Sequence, residues 1–111
     1  MAYNLELAER IRDRLRGTPA LEEKKMFGGV GFLIRGNMAV GVHRESLLVR
    51  VDPAQNDEFL SWPHTRPFDM TGRPMQGWLL VDPAGWQHAD TLAEWIREGV
   101  EYALTLPAKK K

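Results

Sequence analysis

The sequence contains no cysteine, which excludes disulfides, thiolate nucleophiles, cysteine-ligated zinc and iron–sulfur clusters. It also lacks an excess of either charge, since fifteen basic side chains balance fifteen acidic ones. Nucleic-acid binding draws much of its affinity from clustered Lys and Arg that displace counterions, so the balance argues against direct contact with DNA or RNA. No apolar run approaches the roughly 20 residues that span a bilayer. The first residues, Met1-Ala2-Tyr3-Asn4-Leu5-Glu6, contain no apolar signal core. The expectation is a cytoplasmic protein without membrane contact, and neither cofactor nor metal is expected.

What is present suffices for one core. Of 111 residues, 43% are hydrophobic, with four Trp and four Phe. A chain of this length buries about two-thirds of the surface its unfolded form exposes. A single domain over residues 1–107 is expected, followed by a disordered basic tail at 108–111 whose lysines aid solubility.

Periodicity supplies the elements. Leu7, Ala8, Ile11 and Leu15 recur at helical spacing in a segment from Tyr3 to Arg16, stopped by Gly17 and Pro19. On its charged face, Glu6–Arg10 and Glu9–Arg12 can pair. From Met26 the period changes to short apolar runs, Gly29–Ile34 and Met38–Val42, on either side of Arg35-Gly36-Asn37. A Gly36-Asn37 loop would set Ile34 opposite Ala39, Phe32 opposite Gly41 and Gly31 opposite Val42. Leu47–Val51 reads as a third strand, with Asp52-Pro53 opening a short helix through Phe59 and Leu60. Pro67-Phe68-Asp69-Met70 reads as a fourth, edge-like strand and Trp78–Val81 as a fifth. Val81-Asp82-Pro83-Ala84 repeats Val51-Asp52-Pro53-Ala54, as two strand-to-helix exits would. Leu92, Trp95, Ile96, Gly99, Val100 and Ala103 mark a final helix, with Thr91 and Glu94 as a capping box and Pro107 beyond its end. The order predicts an α+β domain of two layers, α-β3-α-β2-α, with an antiparallel five-stranded sheet.

The strands read as apolar on both faces, with Leu33, Val40 and Val42 on one and Val30, Phe32 and Ile34 on the other. An antiparallel sheet with one wet face should alternate. Helices therefore cover both faces, or a second copy covers one, and a homodimer is the favoured expectation.

Few residues invite a chemical role. Gly28-Gly29-Val30-Gly31 leads into a strand rather than a helix, so it reads as close backbone approach and not as a phosphate loop. His43, His64 and His88 stand at no recognised metal spacing and read as exposed turn histidines. Ser46 and Ser61 lack a nucleophile-elbow context. Arg50, Asp52, Asp69 and Asp82 fall at strand ends. Arg50 between two valines needs an anionic partner if it points inward, and Asp69 or Asp82 is the structural candidate.

Met26-Phe27-Gly28-Gly29, the Arg35-Gly36-Asn37 turn, Leu48-Val49-Arg50-Val51-Asp52, Pro67-Phe68 and Trp78-Leu79-Leu80-Val81 leading to the helix around Trp95 together resemble the N-terminal domain of the TfoX/Sxy family. The resemblance implies a secretion-chaperone-like fold and kinship with regulators of natural competence, which act as co-activators beside the cyclic-AMP receptor protein. Those regulators carry a further C-terminal helical domain that the residues up to Lys111 do not supply. The expected function is a non-enzymatic regulatory or adaptor module acting through protein–protein contacts, with Met26, Phe27, Arg50, Asp52 and Phe68 as its interaction surface. The alternative is a small-molecule-binding domain or enzyme, which requires a pocket with convergent polar groups.

Overall fold

A computed structural model describes residues 3–26, 28–68 and 75–108. Phe27, Asp69, Met70 and the terminal lysines, which carry several of the expectations above, lie outside the described residues. The chain runs α1 (Leu5–Arg14), β1 (Leu21–Met26), β2 (Gly29–Ile34), β3 (Asn37–His43), β4 (Ser46–Arg50), a 3-10 turn (Pro53–Gln55) with α2 (Asn56–Leu60), β5 (Thr65–Pro67), β6 (Trp78–Val81), α3 (Pro83–Trp86) and α4 (Ala89–Thr105). The α+β class stands, and the antiparallel sheet has six strands, ordered β1-β2-β3-β4-β6-β5. The additional strand is β1. Its sequence Leu-Glu-Glu-Lys-Lys-Met has no apolar alternation because it lies at a sheet edge and leaves Glu23, Lys24 and Lys25 in solvent. The fourth expected strand is shifted toward the N-terminus, to Thr65–Pro67.

The β2–β3 hairpin turns one residue earlier than the spacing suggests. Ile34 pairs with Asn37, so the loop is Arg35-Gly36. Both loop residues have positive φ, 53° and 84°, as a primed two-residue turn requires. A bulge at Phe32/Leu33 then shifts the register, and Phe32 faces Val40, Gly31 faces Gly41 and Val30 faces Val42. This corrects the assignment of faces. Val30, Phe32, Val40 and Val42 share one face with Val49, Leu79 and Val81, where Leu7 and Ile11 of α1, Phe59 of α2, Trp86 of α3 and Leu92, Trp95 and Ile96 of α4 cover them. Leu33 lies on the other face, in a smaller cluster with Met38, Leu48, Phe68 and Leu80, against which Met26, Met75 and Trp78 pack. The second apolar face is thus largely buried within the single chain, and among the described residues no helix covers it.

Local sequence explains the element ends. Asn4 caps α1 by accepting from the Leu7 N–H at 2.8 Å, and Asp52 opens the 3-10 turn by accepting from the Ala54 N–H at 2.9 Å. Helix α4 starts at Ala89, so Thr91 lies inside it and donates to the His88 carbonyl instead of forming the expected capping box. At the other end of α4, Arg35 donates to the Leu104 and Leu106 carbonyls and Asn37 to that of Pro107. The β2–β3 turn therefore satisfies carbonyls that the end of the helix leaves open. Among the described residues Arg12 pairs across to Glu23 on β1, at 2.7 Å, and Arg16 with Asp13, while Glu9 acts on Arg12 only electrostatically.

Helix α4 reaches the sheet through Gly99. A Cβ there would stand 2.3 Å from the Ala39 carbonyl oxygen and 2.8 Å from a Val40 methyl. Alanine gains about 1 kcal/mol of helix propensity over glycine, but forcing it into a packed site costs about 1–3 kcal/mol, and here the obstacle is backbone. Gly99→Ala is predicted to lower stability by about 1–2 kcal/mol, read from the denaturant midpoint; a higher midpoint would show that α4 can lift off without loss.

Candidate functional site

Two surface regions gather chemistry, at opposite ends of the β4–β6 pair. The first surrounds Arg50. In the register of β4 and β6, Arg50 lies opposite Trp78, whereas Leu47 lies opposite Val81. Asp82 therefore sits at the far end of the pair and does not neutralise Arg50. The Arg50 guanidinium instead lies over two aromatic faces, 5.0 Å from the Trp78 ring centroid and 5.7 Å from that of Tyr102 on α4. Cation–π attraction offsets part of the cost of half-burying this charge, and among the described residues no carboxylate is within ion-pair distance of it.

Beside this platform runs a groove of about 300 Å³ between α4 and the segment after β4, lined by Val51, Asp52, Gln55, Phe59, Glu98, Glu101, Tyr102 and Thr105. Three of these are carboxylates. Burial raises the Glu98 carboxyl above its ordinary value, and neighbouring Glu101, Glu94 and Glu58 push in the same direction against the pull of Arg97. The region thus joins a guanidinium that has no carboxylate partner among the described residues, held on an aromatic base, to an acidic trough.

Of the five residues expected to form an interaction surface, Arg50 and Asp52 lie here. Met26 is half-buried and Phe68 is 2% exposed, both in the cluster on the opposite sheet face. Trp78 packs on that cluster while supporting Arg50, so Met26 and Phe68 belong to the packing of that face and not to the platform surface. Trp78, Tyr102 and Glu98 were not legible as site residues. The signal that could have found them is the strand pairing of Leu47–Arg50 with Trp78–Val81, together with the seven-residue step from Trp95 to Tyr102.

The second region is a cavity of about 430 Å³ at the β3–β4 turn, lined by His43, Ser46, Arg66, Phe68, Leu80 and Asp82. Arg66 donates through Nε to both Asp82 oxygens, at 2.9 and 3.2 Å, and through Nη2 to Ser46 Oγ at 3.1 Å. The Arg66 hydrogen bond is the main reason the Asp82 carboxyl lies below its ordinary value. His43 is not the exposed turn histidine expected from the sequence. Its ring meets Phe68 edge-on at 5.4 Å between centroids, and its Nδ1 is buried without a hydrogen-bond partner among the described residues. The turn is fixed from below by Trp86, whose indole N–H donates to the Glu45 carbonyl. His64 and His88 are exposed.

The glycine-rich stretch behaves as strand packing: a Cβ at Gly29 would stand 1.9 Å from the Val42 carbonyl oxygen. Among the described residues, no group of three or more His, Asp or Glu could hold a metal ion, and no helix is long and apolar enough to cross a membrane.

Because Asp82 is depressed in the folded state, its ion pair with Arg66 contributes above the unfolded carboxyl value of about 3.9 and is lost as pH falls through the lower folded value. Both side chains are partly exposed, which limits the pair to about 0.2–1 kcal/mol. Asp82→Asn is predicted to cost that much at pH 7 in urea melts, with the difference from wild type vanishing as pH falls below the depressed folded value. A deficit that persists in acid would assign Asp82 a role other than charge pairing.

Comparison with curated proteins finds no match. The TfoX N-terminal domain family matches residues 13–103, which takes in every strand, the Arg50 platform and the His43 cavity. The chain therefore belongs to the TfoX N-terminal domain family.

Proposed function

We propose that the protein is a non-enzymatic regulatory or adaptor module that acts through protein–protein contacts at the Arg50 platform, with a link to competence or transcription regulation through its family. The observation that carries this reading is the placement of Arg50 over Trp78 and Tyr102 without a carboxylate partner among the described residues. Arg, Trp and Tyr are the residue types that concentrate binding energy at protein interfaces. A guanidinium already oriented by two rings loses little further freedom when a partner carboxylate or carbonyl arrives. The adjoining acidic groove accepts a basic side chain from the same partner, so the recognised segment carries charges of both signs.

Arg50→Ala is expected to keep the fold and abolish recovery of the partner in affinity purification from the native cell followed by mass spectrometry. Undiminished recovery with folded variant protein would remove the platform from the account. Glu98→Gln supplies an independent check. A carboxyl raised in the folded state penalises stability above its ordinary value, near 4.5, so its removal raises the melting temperature at pH 7 and leaves it unchanged in acid. The same variant is expected to retain less partner. A structural acid would show no such opposition between stability and binding.

A second reading is favoured by one specific observation, the buried His43 Nδ1 with no hydrogen-bond partner among the described residues, beside the Arg66–Asp82–Ser46 network. A small polar ligand that fills this cavity would satisfy the nitrogen. A thermal-shift screen of small carboxylates and phosphates tests it, because a ligand at about a hundred times its dissociation constant adds about 2.7 kcal/mol. His43→Phe should abolish any such shift, and a shift that survives the substitution places the ligand elsewhere.

A further inference from the structure

The two edges of the sheet are built differently. β5, at one edge, has only three residues and ends in Pro67, which offers no N–H to a further strand. Strand β1, at the other, pairs with β2 over six residues without a register shift and contains no proline. Among the described residues nothing pairs with the outer N–H and C=O groups of this regular strand, which form a template for pairing with another chain. Charge is the usual protection for such an edge, and β1 carries Glu22, Glu23, Lys24 and Lys25.

These charges do not repel a second copy of β1. Glu22 and Lys24 share one face of the strand, and Glu23 and Lys25 share the other, since Glu22 pairs with Leu33 and Glu23 with Phe32. Two copies in one antiparallel sheet are related by a two-fold axis perpendicular to it, which sets residues of like facing opposite one another. With Glu23 on the axis, Glu22 of each copy falls opposite Lys24 of the other, twice over. The two Glu23 side chains then meet, but each is already neutralised by Arg12 of its own chain, at 2.7 Å. Centring Lys24 instead would oppose two lysines that have no ion-pair partner among the described residues. Centring Lys24 also forms two Glu–Lys pairs, Glu23 with Lys25, but it leaves the like charges on its axis unscreened, so the register centred on Glu23 is favoured.

We infer that β1 is a self-association edge, joining two copies antiparallel about Glu23 into one twelve-stranded sheet. Helix α1 lies on the sheet face that carries Glu23, and the Arg12–Glu23 pair ties it to the strand at the axis. The partner is a second copy of this chain, and the surface is separate from the Arg50 platform, which stays open in the dimer.

The test is a charge exchange read by sedimentation equilibrium at low salt. Wild type is expected to approach twice the 12.7 kDa chain mass with rising concentration. Glu22→Lys and Lys24→Glu each set like charges opposite one another, and each should weaken association by roughly tenfold or more. The double exchange Glu22→Lys/Lys24→Glu restores both pairs and should restore the dimer. Tryptophan fluorescence verifies that each variant is folded. A monomeric wild type, single variants that associate as wild type does, or a folded double variant that stays monomeric would each overturn the inference.

Discussion

The fold depends on the contact of one helix with one strand at backbone distance. Gly99 lets α4 press against the Ala39 carbonyl, and from that contact Trp95 and Ile96 reach the row of Val40, Val49 and Leu79. The β2–β3 turn holds the same helix at its other end through Arg35 and Asn37. A helix fixed at both places cannot slide, and Tyr102, which lies between them and the sheet edge, has a set position. Arg50 is oriented because Tyr102 and Trp78 are.

The sheet divides the apolar residues unequally. The larger cluster lies under the helices and carries most of the core, while the smaller one, around Leu33, Met38, Leu48, Phe68 and Leu80, closes the opposite face. The smaller cluster supports both candidate regions from beneath. Trp78 rests on the smaller cluster and carries Arg50, and Phe68 in the same cluster orients His43. Polar groups with chemical potential thus stand at strand ends, where the apolar clusters give out and register decides which side chains meet.

Much of the fold was legible because periodicity reports burial. Leu7, Ala8 and Ile11 of α1, and Leu92, Trp95, Ile96, Gly99 and Ala103 of α4, face the core as their spacing required. Both Val-Asp-Pro-Ala segments are strand-to-helix exits, as read. Strand β1 left no periodic trace because an edge strand of Glu and Lys buries too little to alternate. The hairpin was misplaced by one residue because Arg35 adopts the positive φ that Gly36-Asn37 was expected to supply. The bulge after Phe32 then moved Leu33 and Val40 to different faces. The site was less legible than the fold: Arg50 and Asp52 were identifiable at a strand end, but Trp78, Tyr102 and Glu98 join them only through strand pairing and helix docking.

The account rests on the Arg50 platform being the surface that a partner occupies. Its most direct test is a nuclear magnetic resonance titration of the labelled protein with a partner captured from the native cell. The largest shifts are predicted at Arg50, Asp52, Tyr102 and the Trp78 indole N–H. Shifts confined to His43, Ser46, Arg66 and Asp82, with the platform unperturbed, would contradict it.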